Sequence, residues 1–351
     1  MSHSNVSTPV RVGVMGAGWV ARERHIPAFK RDGRCNVTML FDQDYSQAES
    51  VARKFRVPRF VNRLEDFLQE PLDVVSICTP PWTHAPLIEA AIRAGKHVLV
   101  EKPMTLTSEE GKALDILAHK SGLVLCPVHN FLFSHSMQRA KSLLEGGAAG
   151  VVNWTMGVQL SSWSRRLPTW FKELPGGLFF DEAPHFLYLM RYFLGELRVE
   201  QAWRYTDETD SGLLNERMEA RLCGTRGIGQ LTMWTGSPFS EWLFILFCSR
   251  AVLVLDLFRD ILIHLPPERA HNAVDVLKFS ARSTFQLWRE IGASGLRFAG
   301  NRLLYGHDRL VNKFLEAVIE REEPPVTAQD GFEVVALIEE ILNHTSGARS
   351  E

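Results

Sequence analysis

The chain has 351 residues, 45% of them hydrophobic, with 39 basic against 41 acidic side chains. This length and apolar content favour two domains with sizeable cores, and the balanced charge gives no sign of a nucleic-acid footprint. Five scattered cysteines (Cys35, Cys78, Cys126, Cys223, Cys248) without a CxxC pair indicate neither a zinc site nor a disulfide framework, and are read as reduced cytosolic thiols.

Residues 1–9 are polar, with neither a basic start nor an apolar core. They read as a short disordered tail and not a signal peptide, so a cytoplasmic location is expected. Strand-like apolar runs then follow at 11–15, 37–41, 73–78, 97–100 and 123–128. Helix-like segments lie between them at 19–30, 45–55, 83–94 and 108–120. Strands alternating with helices predict a doubly wound parallel sheet over residues 10–128.

The pattern changes near residue 150. Runs at 151–160, 199–206, 217–223, 227–235, 242–248, 251–258 and 260–265 predict an open, mostly antiparallel sheet. The stretch 242–265 is strongly apolar, but Arg250, Asp256, Arg259 and Asp260 interrupt it at strand length, which argues against a transmembrane helix. The segment 176–195 is the main helix of this α+β region, and 331–344 is a closing helix. The second domain is thus expected to span 129–351.

The first strand–helix junction reads Gly16-Ala17-Gly18-Trp19-Val20-Ala21. Gly16 permits the tight turn, Gly18 lets backbone approach a pyrophosphate, and Ala21 allows close helix–strand packing. The helix N-terminus offers N–H groups and positive potential to the phosphates. Asp42 follows the second strand, where its carboxylate can accept a ribose 2′-OH and would repel a 2′-phosphate. The cofactor expected is NAD, with NADP possible, and no metal is expected. Asp42 alternatively serves as an ordinary strand-end turn residue.

Three further stretches carry a family resemblance: DVVSICTPPWTHAPLIEAAIRAGKHVLVEKPMTLT (73–107), Gly176-Gly177 followed after three residues by Asp181-x-x-x-His185, and PPVTAQDGFEVVALIEEIL (324–342). With the first turn, these resemble the glucose–fructose oxidoreductase / inositol dehydrogenase / MocA family across nearly the whole chain. The resemblance implies a Rossmann domain, a second domain on an open antiparallel sheet, and an active site in the cleft between them. It also implies redox chemistry on sugars, sugar nucleotides or cyclitols, and assembly as a homo-dimer or homo-tetramer.

By the same resemblance, Lys102 of Glu101-Lys102-Pro103 points at the nicotinamide and the substrate oxygen, with a possible cis bond before Pro103. A cation there would stabilise a developing alkoxide. Thr79, Pro80, Trp82, His84, Glu101 and Asn130 carry over as cofactor contacts, though Trp82 reads equally as core packing and His84 as a helix cap. Asp181 and His185, four apart, share a helix face. N-cap character at Asp181 and first-turn tolerance of Pro184 place the helix start near 181. The helix dipole would then keep His185 neutral as a general base. Read without context, the two are a helix cap and a core histidine. Many relatives carry an aspartate where Tyr188 stands, and an arginine where Leu132 stands. Tyr188 is expected to bond a sugar hydroxyl or to pack.

The segment 161–172 reads as a loop over the cleft. Its Trp163, Arg165 and Arg166 suit a nucleotide sugar, or form an ordinary solvated loop. Residues 266–313 form an atypical helical insertion. The periodicity at 274–291 predicts a helix expected to pack on its own domain or a sister subunit; contact with an anionic membrane surface is the lesser expectation. The sequence thus points to an NAD(P)-dependent dehydrogenase or reductase acting on CH–OH groups. An NAD-dependent glycosidase with transient oxidation and a cofactor-sensing regulator on the same fold are the alternatives.

Overall fold

The computed structural model describes residues 8–162, 165, 169–208, 214–267 and 272–346. Most of the tail expected at 1–9 lies outside them. Two units divide the chain: the segment up to Val128 joins His307–Glu333, and His129–Gly306 joins the segment from Val334.

In the first unit, β1 (Val10–Met15), α1 (Ile26–Arg31), β2 (Cys35–Phe41), α2 (Tyr45–Phe55), β3 (Arg59–Val61), α3 (Leu64–Leu68), β4 (Val74–Ile77), α4 (His84–Arg93), β5 (His97–Val100), α5 (Ser108–Ser121) and β6 (Leu125–Pro127) follow one another. The six strands lie in the order β3-β2-β1-β4-β5-β6, all parallel. Helices cover both faces of such a sheet, so its strands are near-continuous apolar runs. Accordingly Val74, Val75, Ile77, Val98, Leu99 and Val100 are all fully buried. Thr107 and Glu110 start α5 with a reciprocal capping box, and Gly122 ends it in the left-handed region.

In the second unit, α6 (His135–Glu145), β7 (Val152–Ser162), α7 (Leu178–Leu194), β8 (Leu197–Glu208), β9 (Leu214–Gly224), β10 (Gly227–Ser237), β11 (Glu241–Cys248), β12 (Val252–Asp256), β13 (Ile261–Leu265) and α8 (Ala273–Ala299) follow in order. The sheet runs β13-β12-β11-β7-β10-β9-β8. β7 and β10 pair parallel, and the other neighbours antiparallel. Burial alternates along β10 and β11, the period-two signature of a sheet with one face on the core. The apolar stretch 242–265 is thus three paired strands. No described helix is long and apolar enough to cross a membrane.

Two outcomes differ from expectation. The segment 307–333, assigned by sequence to the second domain, lies in the first unit. It contributes α9 (His307–Glu320) and the start of α10 (Ala328–Ser346). α9 buries Leu310, Val311, Phe314 and Leu315, and Asn312 bonds Asp32 through its side chain and Arg34 through its carbonyl.

The second difference is α8, whose apolar stripe does not pack on its own domain. Leu277, Phe285 and Trp288 are each 70% exposed and Leu296 77%. The inward face is polar. Gln286 exchanges two hydrogen bonds with the backbone of His264. Glu290 is buried against Arg139. Ser294 donates to the Arg259 carbonyl and Arg297 to that of Asp260.

Candidate active site

The first unit builds its turn where β1 ends. Gly16 has φ +90°, and a Cβ there would come 2.8 Å from the Cys78 carbonyl oxygen, so only glycine fits. A Cβ on Gly18 would meet nothing within 4 Å, which leaves the backbone open on that side. The helix that follows begins as a π-helical turn over Ala21–His25, a feature frequent at functional sites. Ala21 is fully buried, while Trp19 is exposed beneath the Arg24 guanidinium. An open glycine backbone at a helix start fits a dinucleotide pyrophosphate.

Asp42 has a structural duty at this turn. Its Oδ2 accepts from the Ala17 N–H at 2.7 Å and from Gln47 at 3.0 Å, and Oδ1 accepts from the Asp44 N–H. A carboxylate offers about four acceptor positions, so one remains on Oδ1 for a ribose hydroxyl.

Thr79, Pro80 and Trp82 line the turn after β4, with Trp82 37% exposed. His84 is fully buried, and its ring nitrogens lie 2.8 Å from the carbonyl oxygens of Thr79 and Pro103. Burial draws its pKa below the ordinary value, against the pull of the two carbonyls. It clamps the Thr79 turn to the segment bearing Lys102, and its ring has no solvent-facing surface for a cofactor. The Lys102–Pro103 peptide is cis.

Glu101 is buried at the centre of a cluster that the sequence did not announce. Its Oε1 lies 2.7 Å from Nε2 of His25 and 3.4 Å from Nε2 of His307. Its Oε2 accepts the Lys102 N–H at 3.1 Å. His25 reaches Ser76 through Nδ1 at 2.8 Å. Burial alone would raise the Glu101 carboxyl, but the two imidazoles hold it well below the carboxylate range. Burial would likewise lower His25, yet Cys78 and Glu101 beside it raise it to about 10. The three side chains are of metal-binding type. The 2.7 Å contact is instead that of a charge-assisted hydrogen bond, and we read the cluster as a buried ion pair.

In the second unit α7 begins at Leu178, capped by Gly177 at φ +60°. Asp181 is therefore not the cap. Pro184 lies inside the helix, where the Phe180 carbonyl loses its usual partner. The helix start is also too far from His185 for its dipole to act there, because that effect fades within the first turn.

Another group orients His185. Its Nδ1 lies 3.0 Å from the Tyr188 hydroxyl, which accepts the Phe131 N–H at 3.0 Å and donates to Asn130 Oδ1 at 3.4 Å. A phenol has one proton to give and two lone pairs. With the proton on Asn130, the lone pairs receive the Phe131 N–H and an N–H from His185 Nδ1. The network thus assigns the proton to Nδ1 and makes Nε2 the acceptor nitrogen of the ring. Tyr188 is 2% exposed and stacks on His129. Asn130 is equally committed, donating to the Tyr305 carbonyl. Phe131 and Trp242 flank the His185 ring.

Arg165 ion-pairs with buried Glu182 at 2.6 Å and lies over the Trp242 ring. Glu182 also accepts from Gln159. Part of the Arg165 fork is therefore engaged, and Glu182 is a site residue that sequence reasoning missed. Trp163 and Arg166 lie outside the described residues.

Fold and turn together define a dinucleotide-binding Rossmann unit followed by an α+β unit. Residues 10–129 match the family model described as oxidoreductase family, NAD-binding Rossmann fold. Through that segment the chain is similar to the Gfo/Idh/MocA oxidoreductase family, and its first unit is an NAD(P)-binding Rossmann domain. Similar proteins include the 1-carboxy-3-chloro-3,4-dihydroxycyclohexa-1,5-diene dehydrogenase of Comamonas testosteroni, 31% identical over 59% of this chain and 53% of that one. The dTDP-3,4-didehydro-2,6-dideoxy-α-D-glucose 3-reductase of Streptomyces violaceoruber is 31% identical over 57% and 59%. The NADP(+) scyllo-inositol 2-dehydrogenase of Bacillus subtilis is 29% identical over 51% and 50%. The chain spans about half the length of the curated relatives it matches.

Among solved structures, GenD2 from gentamicin A biosynthesis, in complex with NAD, shares the fold at a TM-score of 0.77 and 22% identity, over 99% of this chain and 97% of that one. The 3-ketoreductase KijD10 of Actinomadura kijaniata, solved with NADP and TDP-benzene, does so at 0.75 and 20%, over 96% and 98%.

Proposed function

We propose that the protein is an NAD(P)-dependent oxidoreductase acting on a secondary alcohol or ketone of a sugar, nucleotide sugar or cyclitol. The observation that carries this reading is the Tyr188–His185 contact, which places the ring proton on Nδ1 and so makes Nε2 the nitrogen able to accept a proton, in a buried aromatic setting. Such a nitrogen takes the hydroxyl proton during oxidation and returns it during reduction. Bound NAD(P) supplies the hydride acceptor or donor. Lys102 provides positive charge for the substrate oxygen, and Glu101 and His84 position the segment that bears it. Asp181 shares a helix face with His185, where it serves to bind a neighbouring hydroxyl.

The substrate class is supported by the similar proteins, whose names specify a cyclitol, a dTDP-sugar and a dihydroxylated carbocycle. The remaining acceptor position on Asp42 favours NAD. The test is to screen cyclitols and nucleotide sugars with NAD and NADP, following the absorbance of the reduced nicotinamide. Net, substrate-dependent change supports the proposal. Hydrolysis without net change would identify a glycosidase, and dinucleotide binding without any reaction would identify a sensor.

A further inference from the structure

The inverted polarity of α8 needs an explanation that the chemistry above does not provide. Its outward stripe of Val274, Leu277, Phe285, Trp288 and Leu296 runs nearly the full 27 residues, about 40 Å at 1.5 Å per residue. The helix cannot turn this stripe inward without breaking the Gln286, Glu290, Ser294 and Arg297 attachments. Phe258, next to the Arg259 carbonyl that holds Ser294, is exposed as well.

Charge decides what covers the stripe. Four basic residues lie on α8 against two acids. The acids, Asp275 and Glu290, lie toward the inward face. Lys278, Arg282 and Arg289, the last paired with Glu290, are exposed along one edge of the stripe, and Ser280, Thr284, Ile291 and Phe298 lie along the other. A second copy of the helix, antiparallel, would set the basic edge against its own counterpart. Placed parallel, it would set that edge against the hydroxyls and apolar side chains of the other. Neither arrangement supplies an anion, and like charges facing one another are destabilising.

We propose that α8 lies in the plane of an anionic phospholipid surface. Phe285, Trp288, Leu277 and Leu296 enter the boundary between headgroups and acyl chains, and Lys278 and Arg282 meet the phosphates. An apolar face with aromatic residues and a basic flank is the arrangement that binds such surfaces. Each basic side chain near the surface strengthens the attraction several-fold.

The test is co-sedimentation of the full chain with phosphatidylcholine vesicles, with and without phosphatidylglycerol. Binding should favour the anionic vesicles by at least about tenfold and weaken at high salt. Phe285→Ser/Trp288→Ser and Lys278→Glu/Arg282→Glu should each lower it by about tenfold or more while leaving the melting temperature unchanged. Absence of wild-type binding to the anionic vesicles overturns the proposal. So does equal binding by both folded variants. So, too, does a lipid-free dimer that Phe285→Ser/Trp288→Ser dissociates when no vesicle binds.

Discussion

The Tyr188 hydroxyl and Nδ1 of His185 stand 3.0 Å apart on one helix face, and the same hydroxyl is tied to Asn130 and Phe131. The phenol does what a carboxylate does elsewhere: it fixes which imidazole nitrogen carries the proton. Tyr188→Phe should lower turnover by about 10–100-fold, because the tautomer is no longer enforced. Dinucleotide affinity should hold, and the acidic limb of the pH–rate profile should move. Stability should fall by about 1–3 kcal/mol, since buried Asn130 and Phe131 lose a partner. Steady-state kinetics across pH and a denaturant melt check both.

Replacing the imidazole itself is the sharper cut. His185→Ala should reduce turnover by about 10²–10⁴-fold with little change in dinucleotide binding, measured by fluorescence titration. An equal loss of dinucleotide affinity would contradict the proton-transfer assignment.

Asp42 has two duties, and the choice of dinucleotide separates them. Asp42→Ala removes the acceptor for the Ala17 N–H and the ribose contact together. NAD affinity should fall more than NADP affinity, because the repulsion of a 2′-phosphate disappears with the carboxylate. Titration with both dinucleotides decides the matter. Equal loss for the two would leave Asp42 only its duty at the turn.

The Glu101–His25 pair makes stability depend on pH from both sides. His25 is raised in the folded state, so its contribution is complete below the unfolded value near 6.5 and is lost as pH rises towards about 10. Glu101 is lowered, so its contribution is complete above the unfolded value near 4.3 and is lost as pH falls. The melting temperature should therefore be highest between these limits. Glu101→Gln should flatten that profile and cost about 3 kcal/mol at neutral pH, because His25 loses its buried counter-charge. Thermal melts of both proteins from acid to alkaline pH test this.

Much of the frame was legible because it is written in periodicity. The helix at 45–55 and the strand at 97–100 have the boundaries read from sequence, since polar caps and apolar runs mark them locally. The start of α7 was misplaced by three residues because Asp181 looks like a cap and Pro184 looks like a first-turn residue. The true signal was Gly177, whose positive φ starts the helix earlier. Periodicity likewise revealed α8 but not its inward face, which is chosen by hydrogen bonds to His264 and a charge on Arg139. His25, Glu101 and His307 lie hundreds of positions apart at the extremes, and no local pattern announces a contact of that kind. Tyr188 was open to misreading for the same reason, because its partners Asn130 and Phe131 come from a distant segment.

The return of His307–Glu333 to the first unit has a consequence for how the molecule is made. On the ribosome, the segment up to Val128 emerges without α9, and Glu101 lacks one of its two imidazoles, until His307–Glu320 has been translated. A fragment cut at Val128 would expose the apolar surface that Leu310, Phe314 and Leu315 cover. Each half is therefore completed only after a segment that follows both has been made, not one after the other.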